Sequence, residues 1–229
     1  MEISVLLPCY NAAPHLAEAL DSVLAQDVPV REIIVVDDGS SDDSAAVAEG
    51  FSPRVRCDRQ PHQGIGATRN RALSLAGGEL VAFLDADDLW PPGSLASRLE
   101  ILMSDGSVDC VGGMVEEFIS PELDTDSRHG LVCAPGLLLG RLVSAMLVRR
   151  RVFDQVGDFD TAYGLAENVD WVARAKDAGI LIRTVEQVVL RRRIHLSNTG
   201  TRSRHLRSEY LAVLKASIDR RRGTRNVLP

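Results

Sequence analysis

Aromatic side chains and paired cysteines are both scarce in this chain. Five Phe, three Tyr and two Trp make up 4% of its 229 residues, and its four cysteines, Cys9, Cys57, Cys110 and Cys133, stand far apart. A core built with so few rings must be filled by Leu, Val, Ile and Ala, the usual content of a parallel sheet covered by helices, which disfavours a sandwich. The absence of a CxxC pair or a Cys/His cluster at zinc-ligand spacing excludes a zinc ribbon and leaves free thiols in a reducing compartment. No run reaches the ~18 apolar residues that a bilayer span requires. Met1-Glu2-Ile3-Ser4 enters a strand-like run with neither a basic n-region nor a cleavable apolar stretch, so the chain reads as cytoplasmic. No GxGxxG follows the first strand, which disfavours a dinucleotide dehydrogenase. Pro8-Cys9-Tyr10-Asn11 is a poor substitute for the Gly-rich phosphate loop of a sugar nucleotidyltransferase. There is no internal repeat or low-complexity segment.

The composition, 45% hydrophobic and 25% charged, is that of one globular domain with a modest elaboration. Charge is unevenly spread. Residues 191–229 hold ten Arg and one Lys against Glu209 and Asp219, a balance of +9, so the remainder carries -15 of the overall -6.

Along the chain, Ile3 to Leu7 is an apolar run stopped by Pro8, and Pro14 to Ala25 shows Leu16, Leu20, Val23 and Leu24 at helical spacing. Glu32 to Val36 is apolar without alternation, as in a strand buried on both faces, and ends in Asp37-Asp38-Gly39-Ser40, with a helix N-cap at Ser41 or Asp42. Arg54 to Arg59 reads as a third strand, Gly64 to Ala76 as a helix with Leu73 and Leu75 inward, and Leu80 to Leu84 as a fourth strand ending on Asp85. Strands alternating with helices imply right-handed crossovers and a parallel sheet, whose ligands bind outside the carboxyl ends of the strands. Three polar clusters, Pro8 to Asn11, Asp37 to Ser40 and Asp85 to Asp88, should therefore converge on one crevice.

Farther on, Val108 to Ile119 suits a strand, Pro121 to Gly136 a loop, and Arg151 to Val156 a short helix ended by Gly157. Glu167 to Ala178 reads as a helix, and Ile180 to Val185 and Val188 to Leu190 as two short strands. Between Ser203 and Arg222, Leu206, Tyr210, Leu211, Leu214 and Ile218 fit one stripe of an amphipathic helix.

Asp85-Ala86-Asp87-Asp88 sets three carboxylates within four residues, where like charges repel unless a cation or solvent relieves them. Mg²⁺ or Mn²⁺ would take carboxylate and phosphate oxygens together. The alternative is an acidic turn capping a helix at Ser94.

Taken in order, Val5-Leu6-Leu7-Pro8-Cys9-Tyr10-Asn11, Ile33 to Ser40, Gly66-Ala67-Thr68-Arg69-Asn70, Phe83 to Asp88, Phe153 to Asp160 and Glu167 to Trp171 resemble the inverting family-2 glycosyltransferases of GT-A fold. The resemblance covers roughly residues 3–195. It implies an α/β fold of GT-A type, a Rossmann-like, mostly parallel twisted sheet flanked by helices, here with a C-terminal amphipathic helix. It also implies that Pro8 and Tyr10 line a base pocket with Asn11, that Asp38 bonds the base, and that Arg69 lies near the nucleotide. Asp85, with Ala86, would meet the ribose or the metal, Asp87 would ligate Mn²⁺ or Mg²⁺, and His195 would complete that site, since a neutral imidazole suits Mn²⁺.

The family's base is the second member of a Glu-Asp pair, and here the pair is Glu167-Asn168. An amide has no useful basicity, so Glu167, by adjacency, or Asp170, one turn along, takes the role, or the acceptor is acidic enough to need little help, or the chain is an inactive homologue that only binds nucleotide-sugar.

The expected organisation is a nucleotide-sugar half over 1–105, an acceptor and catalytic half of the same domain over 106–202, and a basic helix and tail over 203–229. The expected donor is a nucleotide-diphosphate sugar, a UDP-sugar first. The acceptor class stays open among saccharide, lipid-linked glycan, peptide and small molecule. The Arg-rich tail suggests solvated charge, donor steering, partner docking or peripheral contact with the inner membrane face. Nucleic acid is not expected, because the body is acidic and no binding module is present.

Overall fold

The computed structural model of the chain describes residues 1–124, 128, 130–140, 142–198 and 206–225. Four parallel strands form its first half: β1 (Ile3–Cys9), β2 (Glu32–Asp37), β3 (Val55–Arg59) and β4 (Leu80–Phe83), in the spatial order β3-β2-β1-β4. Helices α1 (Ala13–Leu24), α2 (Ser44–Glu49) and α3 (Ile65–Leu75) make the crossovers. β1 is buried along its whole length because both faces are covered. Val5 and Leu7 share one apolar cluster with Leu16 and Leu20 of α1, while Leu6 points into the other with Ile34 and Phe83.

The second half turns the sheet mixed. α4 (Ser94–Ser104) leads to the long strand β5 (Cys110–Ile119), and β6 (Leu138–Leu139) and β7 (Leu147–Arg149) follow. β7 lies antiparallel between β4 and β5, and β6 is antiparallel to β5. Then come α5 (Arg151–Val156), α6 (Glu167–Asp177), β8 (Ile182–Ile194), which runs parallel to β5, and α7 (Leu206–Arg225).

Four of the scarce aromatics meet in one place. Phe153 stacks on Trp171 at 4.6 Å between ring centres, and Phe159 meets Phe83 edge-on at 5.5 Å. The cluster ties α5 and α6 to β4, and burial of rings this size stabilises more per residue than the aliphatic core around it. Asn70 of α3 donates to the Phe159 carbonyl and accepts from its amide, both at 2.9 Å, so the turn before α6 is fixed to α3.

Three expectations need correction. The two strands expected over 180–190 are one, β8; its ladder shifts register opposite Gly112 to Val115, so the polar pair Glu186-Gln187 interrupts the pattern and not the strand. An added Cβ at Gly113 would lie 2.4 Å from Val189 Cγ1, so the bare glycine lets β8 pass that close. Arg191-Arg192-Arg193 belongs to the sheet and not to a solvated tail: Arg191 pairs with Glu116 at 2.9 Å and Arg192 with Glu117 at 3.1 Å across the β5–β8 ladder. α2 starts at Ser44 with Asp43 at the N-cap position, later than Ser41 or Asp42, although Asp42 still accepts the Ser44 amide at 3.0 Å.

The C-terminal helix expected from the apolar periodicity is present as α7. Its apolar stripe faces outward, with Tyr210, Leu211, Leu214 and Ile218 all exposed while Val213 and Ser217 are buried. The side chain of Leu206 and residues 203–205 and 226–229 lie outside the described residues. Among the described residues no helix is long and apolar enough to cross a membrane.

Candidate functional site

Strand register brings the three polar clusters to one rim. Cys9 pairs with Asp37, Leu6 pairs with Phe83, and the Asp38 amide reaches the Cys9 carbonyl at 2.8 Å. The turns after β1 and β2 are laced together: the Asn11 amide donates to Ser40 Oγ at 2.9 Å, and Asn11 Oδ1 accepts the Ser41 amide at 2.8 Å. Asn11 adopts φ 49°, a left-handed conformation that Asn tolerates better than most side chains. Pro8 is buried in β1, and Tyr10 projects from the rim with its ring stacked 4.2 Å from that of His62.

Asp38 holds the wall of this corner. Its Oδ1 accepts from Gln60 Nε2 at 2.7 Å and from the Gln63 amide at 2.9 Å, and its Oδ2 from the Gly64 amide at 2.9 Å with His62 Nδ1 also at 2.9 Å. A carboxylate offers about four lone-pair sites, and the 60–64 loop occupies them. The expected contact from Asp38 to a base therefore has a competitor already in place, and the exposed rings at this corner are those of Tyr10 and His62. Gly39 makes the close approach feasible: its φ is +75°, and a Cβ there would sit 2.9 Å from the His62 amide nitrogen.

Two carboxylate centres occupy the rest of the rim. In the first, buried Arg69 donates to Asp85 Oδ1 at 2.7 Å and to Glu167 Oε1, so α3, the β4 turn and the first residue of α6 share one guanidinium. Burial opposes the Arg69 charge, but Asp85 and Glu167 more than compensate and hold its pKa above the ordinary value. Glu167 Oε1 also accepts from Asn168 Nδ2 at 3.3 Å, while Oε2 and Asn168 Oδ1 are buried with no partner among the described residues. Asp170 is turned elsewhere, to Arg174 at 2.7 Å and Arg220 at 4.0 Å.

In the second centre, Asp87 Oδ2 and His195 Nε2 meet at 3.0 Å although 108 residues separate them. His195 Nδ1 lies 2.7 Å from Ser197 Oγ, and Asn198 Nδ2 reaches Asp87 Oδ2 at 3.4 Å. Leu89 and Arg191 exchange backbone hydrogen bonds of 3.0 and 2.8 Å that tie the acidic turn to the end of β8. Arg193, buried, donates Nε to the Asp87 carbonyl at 2.9 Å and its amide to Asp88 Oδ1 at 2.9 Å, and its guanidinium also meets Glu18. Burial first, then the charges of Asp87 and Asp85, push the Asp88 carboxyl well above the carboxylate range. Burial, then Arg193 and His195, lower the pKa of His15, whose ring lies 4.8 Å from that of His195.

The acidic turn does not cap a helix at Ser94, where Gly93 takes the N-cap position. Among the described residues no three ligating side chains gather on one point, and Asp87 with His195 supplies two. Their donor chemistry, one carboxylate oxygen and one imidazole nitrogen, fits a divalent cation that draws its other ligands from substrate oxygens. Ala86 is buried between Asp85 and Asp87. The residues that motif reading missed are His62, Gln60, Arg193 and Asn198. The Arg191–Arg193 run was visible, but its positive charge pointed to solvent.

Comparison with known proteins follows this geometry. The family profile described as "Glycosyl transferase family 2" matches residues 4–157. An uncharacterized glycosyltransferase, alr2836 of Nostoc sp., is 42% identical over 118 residues, covering 50% of this chain and 36% of that protein. Glycosyltransferase AglE of Haloferax volcanii is 30% identical over 200 residues, or 82% of this chain and 65% of that one. The crystal structure of S. aureus TarS 1-349 in complex with UDP-GlcNAc superposes with a TM-score of 0.75 at 21% identity, covering 96% of this chain and 66% of that one. The fold is therefore of the GT-A type. The chain spans between about a third and two thirds of these proteins' own length.

Proposed function

The chain belongs to glycosyl transferase family 2, and from that premise we propose that it transfers a hexose from a nucleoside-diphosphate donor, a UDP-sugar first, to an acceptor hydroxyl with inversion. The observation that carries this reading is the 3.0 Å meeting of Asp87 and His195 beside two laced turns at one sheet rim. It is supported by the TarS structure, which holds UDP-GlcNAc on a similar fold.

In this reading Tyr10 and His62 offer the flat apolar surface for the base, Pro8 and Asn11 shape the turn beneath it, and Asp38 holds the loop that carries His62. Ala86, small and buried, lets the nucleotide approach the acidic turn. Arg69 neutralises Asp85 and Glu167 and sets the direction of both. Asp87 and His195 would hold Mn²⁺ or Mg²⁺, and such an ion supplies charge neutralisation for the departing diphosphate.

The chemical step is direct displacement. The acceptor oxygen forms a bond to the anomeric carbon, the bond from that carbon to the diphosphate oxygen breaks, and the acceptor proton passes to a base. We assign the base to Glu167 Oε2, the buried carboxylate oxygen that Arg69 leaves free. Asp170 is held by Arg174 and Arg220 and suits an architectural role. With UDP-GlcNAc and Mn²⁺, release of UDP by the wild-type chain tests the reading, and Glu167→Gln should lower it by about a hundredfold or more while donor affinity stays within a few-fold.

A second reading draws on Asn168, which stands where the family's base is expected: a nucleotide-sugar-binding protein that no longer transfers. Donor binding by calorimetry without UDP release over a panel of saccharide, lipid-linked, peptide and small-molecule acceptors would select it.

Acceptor choice belongs to residues 106–166 in this proposal, where Val132 and Leu137 to Leu139 lie exposed beside β5. Together with the outward stripe of α7 they support a cytoplasmic protein in peripheral contact with a membrane face and an acceptor with an apolar portion. Replacing Leu211, Leu214 and Ile218 by Glu should abolish co-sedimentation with anionic liposomes, and retention of binding would remove this part of the proposal.

A further inference from the structure

α7 grips α6 at both ends. At the start, Glu209 Oε1 accepts the Gly164 amide at 3.1 Å, and Oε2 accepts the amides of Leu165 and Ala166, both at 2.9 Å. Farther along both helices, Asp177 at the end of α6 accepts from Ser217 Oγ at 2.9 Å, Arg220 Nε at 2.9 Å and Arg221 Nε at 2.7 Å. The two helices therefore run in the same direction and in step.

The two grips differ in what they hold. Asp177 meets side chains and fastens α7 down. Glu209 meets three successive backbone amides of the turn that delivers Glu167, and the N-cap residue of α6, Ala166, has no capping side chain of its own. A carboxylate beside a helix N-terminus also lies in the favourable field of the helix dipole, and hydrogen bonds to a charged acceptor are stronger than neutral ones. Gly164 leaves room for it: a Cβ there would stand 3.3 Å from Glu209 Oε1. The turn is held from its other side by Asn70, through the Phe159 backbone.

We propose that Glu209 is a positioning residue for transfer, which sets the start of α6 and with it the aim of Glu167 and Asn168 at the rim. The proposal rests on the glycosyl-transfer reading for its consequence on rate. Its geometric part stands independently of that reading.

The test compares Glu209→Ala, Glu209→Gln and Asp177→Asn in the full chain. Four quantities are measured: Tm, amide exchange over residues 163–170, donor affinity by calorimetry, and release of UDP from UDP-GlcNAc with Mn²⁺. Glu209→Ala should raise exchange at 164–166 by about tenfold and lower kcat about tenfold, with KM and donor Kd within about twofold. Glu209→Gln keeps one carbonyl acceptor and should recover part of both losses. Asp177→Asn should lower Tm to a similar degree and leave kcat unchanged.

A kcat that falls in Glu209→Ala only as far as in Asp177→Asn overturns the proposal, as does a rise in KM and Kd that matches the fall in kcat. Should the wild-type chain release no UDP, the functional reading fails. Exchange then decides the positioning role: unchanged protection at 164–166 overturns it, and lost protection upholds it.

Discussion

The two acidic centres at the rim are built from the same residue types and are held in opposite ways. Asp85 and Glu167 share a buried guanidinium, while Asp87 is a partly open carboxylate with an imidazole that can leave it. A carboxylate locked by Arg is committed before any ligand arrives, since removing either partner strands a buried charge. One paired with His can exchange its partner for a cation. In the proposed reading the first centre sets directions and the second receives the ligand.

The largest expected effect falls on the open centre. Asp87→Ala should reduce Mn²⁺-dependent UDP release by about a thousandfold with the fold intact by circular dichroism, and retained turnover would move the working site elsewhere. On the locked centre, Arg69→Met should show first as stability, a loss of about 3–5 kcal/mol in urea unfolding, because Glu167 and Asp85 lose their shared counter-charge. A small loss there would mean that the two centres do not differ as described. His195→Ala should weaken Mn²⁺ binding about tenfold to a hundredfold while donor binding without metal is unaffected, read by calorimetry with and without the ion.

The smallest effect lies away from the rim, at Asp177. Burial would raise its pKa, but hydrogen bonds from Arg221, Arg220 and Ser217 hold it below the ordinary 3.8. The stabilisation it contributes is complete above that ordinary value and is lost as pH falls through the lower folded value. Amide protection in α7 should therefore decline below about pH 4 in the wild type and less steeply in Asp177→Asn, where the titrating group is gone.

The first half of the sheet was legible because its strands are short, apolar on both faces and end on polar turns. Pro8, Asp38 and Asp85 could each be placed at a carboxyl end from local pattern alone, and the family resemblance supplied His195. What could not be read locally was partnership. Nothing near Asp38 in the chain announces the Gln60–Gly64 loop that fills its oxygens. Arg191 to Arg193 looked like free charge because Glu116, Glu117 and Asp88 are brought beside them only by the parallel β5–β8 ladder and its bridge to Leu89. The docked side of α7 was not legible for a related reason. Periodicity finds an apolar face but not which side docks, and here Glu209, Ser217, Arg220 and Arg221 make the polar side the docked one.

The backbone bridge between Leu89 and Arg191 has a consequence for how this centre can change. Asp87 lies two residues before one bridge partner and His195 four residues after the other, so the spacing of the two donors is anchored by main chain. Side chains at 87 and 195 can then be exchanged for harder or softer donors without moving the frame that carries them. If the proposed metal site holds, ion preference would be a property that point substitutions retune while the Leu89–Arg191 frame stays constant.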